Sequence, residues 1–121
     1  MMANDTKDEP GTPPDDLVDL YLGLLKKGAT WTPEATPEVE ANQRAHLALL
    51  RRLSQSGDLL LAGPTPSDSD LRGILIINAD SEQAAKHLFE ADAHIASDRL
   101  VLELHPLLLS KANLTQPLVG S

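Results

Sequence analysis

Apolar and polar positions alternate along this chain in two rhythms, a period of two for strands and a period near 3.6 for helices, and the rhythm changes mark the elements. From Asp16 to Lys26 the period is two. Val18, Leu20, Leu22 and Leu24 share one face, and Leu17, Tyr21 and Leu25 make the other face partly apolar, which predicts a first strand. The stretch from Thr36 to Pro64 organises the rest. Thr36 suits a helix N-cap, Pro37 fits the first turn, and Glu38 and Glu40 sit where the helix dipole favours negative charge. Val39, His46, Leu49, Leu50 and Leu53 then recur at helical spacing. Gly57 stops the helix, and Asp58 to Pro64 (DLLLAGP) predicts a short buried strand. After a turn at Thr65 to Asp70, Leu71 to Asn78 predicts a third strand with Ile74 and Ile76 on one face and Leu75 and Ile77 on the other. Asp80 and Gln83 read as a capping box for a second helix with an inward stripe of Ala84, Ala85, Leu88 and Phe89. Asp92 to Asp98 reads as a connector. Arg99 to His105 is the last strand, ended by Pro106, with Leu107 to Leu109 padding a neighbour or the sheet edge.

The order β-α-β-β-α-β is an α+β, ferredoxin-like, split-βαβ pattern. Its two helices can cover one face of a four-stranded sheet. The third strand is apolar on the other face too, so a lone chain exposes an apolar patch there. A second copy packed sheet to sheet about a two-fold axis removes it, and a homodimer is the expectation. One folded domain is expected over residues 16–110, with an acidic, Pro- and Gly-rich disordered tail at 1–15 and a short C-terminal tail at 111–121.

Composition removes several functions. The formal net charge is −8 and the aromatic set is Tyr21, Trp31 and Phe89, which argues against nucleic acid and anionic membrane as partners. There is no cysteine, hence no disulfide, thiolate metal site or cysteine nucleophile. No stretch has the length of a signal-peptide core or a bilayer span, so a cytoplasmic location is expected. No glycine loop of the phosphate- or nucleotide-binding kind occurs, so no cofactor is expected. No ligand-spacing motif calls for a metal.

Four segments taken in order resemble the YciI-related (YCII domain) family. They are Tyr21 to Glu34 (YLGLLKKGATWTPE), Arg44 to Leu53 (RAHLALLRRL), Gly57 to Pro64 (GDLLLAGP) with Leu71 to Ile74 (LRGI), and Ala91-Asp92. The resemblance spans roughly Leu17 to Pro106. It implies a ferredoxin-like dimeric α/β barrel and a site built on a histidine and an aspartate. The helix histidine falls on His46 and the aspartate of an Asp-Pro motif on Asp92, although Ala93 stands where the family has proline. By analogy with a dehydrochlorinase and an isomerase of related fold, the resemblance implies proton transfer on small cyclic or aromatic acids.

The residues allow that chemistry. Imidazole titrates near neutrality, and a carboxylate bonded to one ring nitrogen leaves the other as an oriented base. Asp92 falls at the end of the second helix, where the dipole disfavours its charge, and His46, Arg72 or Arg99 are its available partners. The competing structural explanation is a core histidine bonded to a carbonyl and an aspartate that only caps the connector. His94 reads either as a second polar group near the site or, as expected for a connector residue, as facing water; His87 is expected to point outward, and His105 to pair with Glu103 on the surface. Trp31 reads either as a loop anchor or as a lid over a pocket. Two functions therefore stand: a lyase or isomerase that uses His46 as base with Asp92 orienting it, and a non-catalytic dimeric ligand-binding or structural module.

Overall fold

In the computed structural model, which describes residues 16–115 and Leu118, the chain runs β1 (Leu17–Lys27), α1 (Pro37–Ser56), β2 (Leu59–Pro64), β3 (Leu71–Ile77), α2 (Glu82–Leu88), α3 (Ala93–Ala96), β4 (Leu100–Ser110) and α4 (Lys111–Leu114). The acidic tail expected over residues 1–15 lies outside the described residues, as does the C-terminal tail past Thr115 apart from Leu118. The strands form one antiparallel sheet in the order β2-β3-β1-β4. β1 and β2 therefore run parallel with β3 between them, and the connection through α1 straddles that intervening strand.

α1 starts and stops for the local reasons read from the sequence. The Thr36 hydroxyl accepts from the Val39 N–H at 3.1 Å, Pro37 opens the first turn, and Gly57 closes the helix in the left-handed conformation at φ 87°. Its inward stripe buries His46, Leu49 and Leu53. Leu49 and Leu53 meet Leu25, Leu59, Leu75, Ile77, Ala85, Phe89 and Leu100 in one core, with Tyr21, Leu50, Leu102 and Leu104 packed on it. This core lies between the helices and one face of the sheet.

The other face is also apolar. Register aligns Leu20 with Leu107, Leu22 with Ile76, Leu24 with Ile74, and Leu61 with Ile76. The core residues of α1 and α2 lie on the first face; on this second one Leu20 and Ile76 are buried within the chain, while Ile74, Leu61 and Val101 remain 38%, 57% and 47% exposed. Among the described residues, no helix is long and apolar enough to cross a membrane.

Four elements depart from the sequence reading, the first being the C-terminal tail expected from residue 111, which opens with the turn of α4 capped by Ser110. α2 is capped by Ser81 and not by Asp80: the Ser81 hydroxyl accepts from the Ala84 N–H at 3.0 Å, and of the expected inward stripe Ala85, Leu88 and Phe89 meet the core while Ala84 is exposed. β4 does not end at Pro106. It runs on to Ser110, because β4 is an edge strand and a residue without an N–H fits where no outer neighbour asks for one. Leu107 to Leu109 pair with Leu20 to Val18 and form that edge themselves. The connector after Asp92 is wound into the turn of α3.

Candidate active site

His46 lies on the buried stripe of α1, one turn before Leu49 and Leu50, with its side chain 9% exposed. Asp92 reaches it from a different part of the chain. α2 stops because Phe89 leaves the helix to fill the core, at 1% exposure, and the chain then turns through an Asp92 N–H to Phe89 carbonyl bond of 3.0 Å. Asp92 therefore does not sit unfavourably at a helix C-terminus, as its sequence position suggests. It is the N-cap of α3, where Oδ2 accepts from the His94 N–H at 3.1 Å and the Ile95 N–H at 3.2 Å. Ala93 occupies the first position of α3, where a proline would also fit, so the cap forms without the family's proline.

The remaining oxygen of Asp92 meets His46. Nδ1 of His46 and Oδ1 of Asp92 are 2.5 Å apart, and the carboxylate is fully buried. A carboxylate accepts only, so His46 Nδ1–H is the donor. In the neutral form of the ring, Nε2 carries the lone pair. It has no hydrogen-bond partner among the described residues, and His46 lines a cavity of about 360 Å³ between α1 and the sheet.

His94 is buried at 3% exposure and does not face water, because α3 rolls it against α1. Its ring centroid lies 5.1 Å from that of His46 at a 49° tilt. Its Nε2–H donates to Gln43 Oε1 at 2.7 Å, and its Nδ1 is buried with no partner. Burial foremost, and then the neighbouring His46, hold its pKa below the ordinary histidine value, which keeps the ring neutral. Gln43 precedes His46 by three residues, so the two share a face of α1. That spacing was the available signal for Gln43. For His94 the signal was its place two residues after Asp92, and the expectation that it faces water failed because the sequence showed no turn of helix there.

The rest of the cavity wall comes from Leu47 and Leu50 on α1, Ala62 to Pro64 on β2, Arg72 to Leu75 on β3, and Trp31, Arg99 and Leu100. Trp31 is half-buried, packs against the core and lines the cavity, so it anchors its loop and walls the pocket at once. Arg72 and Arg99 do not reach Asp92. The Arg99 guanidinium lies 4.3 Å and that of Arg72 4.9 Å from the Trp31 ring centroid, with Lys27 Nζ at 5.6 Å. Away from the cavity, His87 bonds Glu90 at 3.1 Å and His105 bonds Glu103 at 2.6 Å, both on the surface. Among the described residues, no group of three or more His, Asp or Glu side chains is placed to hold a metal.

Fold and site together define an α+β protein with a buried histidine–aspartate pair in the wall of a pocket sized for a small molecule. Residues 27–103, more than half of the chain, match the YCII-related domain, and the chain belongs to that family. Among solved structures it is similar to 5-chloro-2-hydroxyhydroquinone dehydrochlorinase from Burkholderia phenoliruptrix in complex with 2,5-dihydroxybenzoquinone, with a TM-score of 0.54 and 23% identity over 71% of this chain and 90% of that one. At that identity the likeness is one of fold. No curated protein matches the chain.

Proposed function

We propose that this protein catalyses a proton transfer on a small ring compound, as a lyase or isomerase, with His46 as base and acid and Asp92 as the residue that positions it. The observation that carries this reading is the 2.5 Å contact between His46 Nδ1 and Asp92 Oδ1 on a ring that lines the cavity. Asp92 is held by two backbone N–H groups, so it fixes both the tautomer and the orientation of His46. Nε2 takes a proton from a carbon or hydroxyl of the substrate. In an elimination, the electrons of the broken bond form a double bond and the leaving group departs with its own pair. In an isomerisation, Nε2 returns the proton to a different carbon. The dehydrochlorinase of the same fold, crystallised with a dihydroxybenzoquinone, points to hydroxylated or chlorinated rings as the first compounds to try.

The unit that does this is the folded part of the chain, residues 16–110, as a ferredoxin-like homodimer in which the two open sheet faces pack into an α/β barrel. The apolar face built from Leu22, Leu24, Ile74 and Ile76 supports that assembly.

The test is solvent deuterium incorporation, or halide release, across a panel of small hydroxylated and chlorinated rings. His46→Asn is the informative variant, because its amide nitrogen replaces Nδ1 as donor to Asp92 and only the base is lost. Wild-type protein is expected to turn over at least one compound, and the variant to lose about 100-fold or more of that rate with its melting temperature nearly unchanged. Turnover that is absent throughout the panel leaves the chain as a non-catalytic module, and turnover equal in the variant removes His46 as the base. A variant that loses several kcal/mol of stability marks His46 as core structure.

A further inference from the structure

The chain is acidic, with 18 Asp and Glu against 10 Lys and Arg, yet three cations gather on one indole. Among the described residues, neither Arg72 nor Arg99 lies within ion-pairing distance of a carboxylate. Each is tied by a single terminal nitrogen to backbone carbonyls: Arg99 to Thr32 at 2.7 Å, Arg72 to Ser67 at 2.5 Å and to Ser69 at 3.3 Å. A guanidinium has five N–H donors. Most donors of both arginines therefore have no partner among the described residues, and both side chains line the cavity that holds His46. Like charges so placed repel, and the Arg99 pKa is lowered first by burial and then by Arg72. An acidic chain with many carboxylates to spare leaves this pair uncompensated. A ligand anion is the charge that fits between them.

We infer that Arg72 and Arg99, held over Trp31, form a carboxylate-binding subsite at one end of the His46 cavity, and that the ligand is a small planar acid. This rests on the proton-transfer reading for the role of His46, and adds the residues that would anchor the substrate's acid group. The guanidinium fork matches a planar carboxylate through two parallel N–H bonds. The aliphatic wall of Leu47 and Leu50 suits a ring rather than a chain of hydroxyls. A cavity of about 360 Å³ accepts one ring and its substituents. Bound so, the acid group is anchored at the arginines and the ring extends toward Nε2 of His46.

Trp31 is the only tryptophan, so its indole N–H gives a single resonance in nitrogen-labelled protein and reports on the subsite directly. The probes are gentisate, hydroquinone (the same ring without the carboxylate) and inorganic phosphate. Gentisate is expected to shift the indole resonance saturably, with affinity that falls as salt is raised. Hydroquinone is expected to bind about 10- to 100-fold more weakly, and Arg72→Gln to weaken gentisate by a similar factor, the loss expected for one charged hydrogen-bonding partner. Arg99→Gln should do the same. Because Arg99 also holds Thr32, Arg72→Gln carries the test if the Arg99 variant loosens its loop.

Three results overturn the subsite: no saturable shift with millimolar gentisate, equal affinity for hydroquinone, or gentisate binding unchanged in Arg72→Gln. Phosphate competing as well as gentisate overturns the assignment to a planar acid. His46→Asn separates the two proposals. Gentisate binding that survives in it, alongside a panel with no turnover, leaves the subsite standing and removes the proton transfer. His46-dependent turnover of neutral rings that ignores Arg72 does the reverse.

Discussion

At the scale of single residues, the site is a matter of which polar groups are buried and what each one meets. Asp92 meets three donors and is satisfied, and His46 meets one acceptor, with no hydrogen bond to its Nε2 among the described residues. His94 is the unbalanced member. Its pKa lies below the ordinary 6.5 because of burial, with His46 and Arg99 adding to that direction and Asp92 opposing it. Linkage gives the sign. In the unfolded chain His94 takes its proton near the ordinary value, and in the folded protein only at lower pH, so its contribution to stability is intact above about pH 6.5 and falls as the pH drops below it. The loss is at most about 1.4 kcal/mol per pH unit. Urea unfolding at about pH 7.5 and about pH 5.5 should show wild-type protein losing more stability on acidification than His94→Gln, which has no proton to take up. An equal loss in the two proteins removes His94 as the source.

At the scale of elements, the strand starts and the loop they carry decide where Trp31 and Arg99 stand. Gly28 leaves β1 where the chain meets Asp98 and Arg99: its N–H donates to the Arg99 carbonyl at 2.8 Å, and a Cβ built on it would lie 2.2 Å from the Asp98 carbonyl oxygen. That obstacle is backbone, and Asp98 is already held at a positive φ of 65°, so the strain has no cheap outlet. Gly28→Ala is therefore expected to cost about 1–3 kcal/mol in urea unfolding and to move the Trp31 indole resonance. A variant with wild-type stability and an unmoved indole would show that this close approach is not required. The same scale explains the misplaced boundaries. A proline ends a strand that has neighbours on both sides, but β4 has one, and that fact belongs to the sheet order. Likewise, α3 is too short to have a periodicity of its own.

For the whole molecule, the second face of the sheet keeps apolar side chains exposed in one chain. Ile74 stands on it at 38% exposure, across from Leu24. If two copies pack there, Ile74→Glu places a charge in an apolar interface while costing the single chain little. Sedimentation should then give wild-type protein at twice the 13.0 kDa of one chain and the variant at the mass of one chain. Wild-type protein that sediments as one chain would refute the homodimer.

The residues alone were enough for the order of the four strands and two longer helices, the caps of α1 and the two-faced third strand, because each rests on local rules: a capping oxygen, a left-handed glycine, a period of two or 3.6; the pairing of His46 with Asp92 was implied by the family resemblance and not by those rules. The surroundings of the site were not legible in the same way. His46 and Asp92 are 46 residues apart, and only the packing of α3 on α1 sets their contact and turns His94 inward. Arg72 and Arg99 begin different strands, and they share one indole because β1 lies between β3 and β4 in the sheet. Local physics specifies which residues are suited to chemistry. The sheet order and the burial that follows from it decide which of them meet.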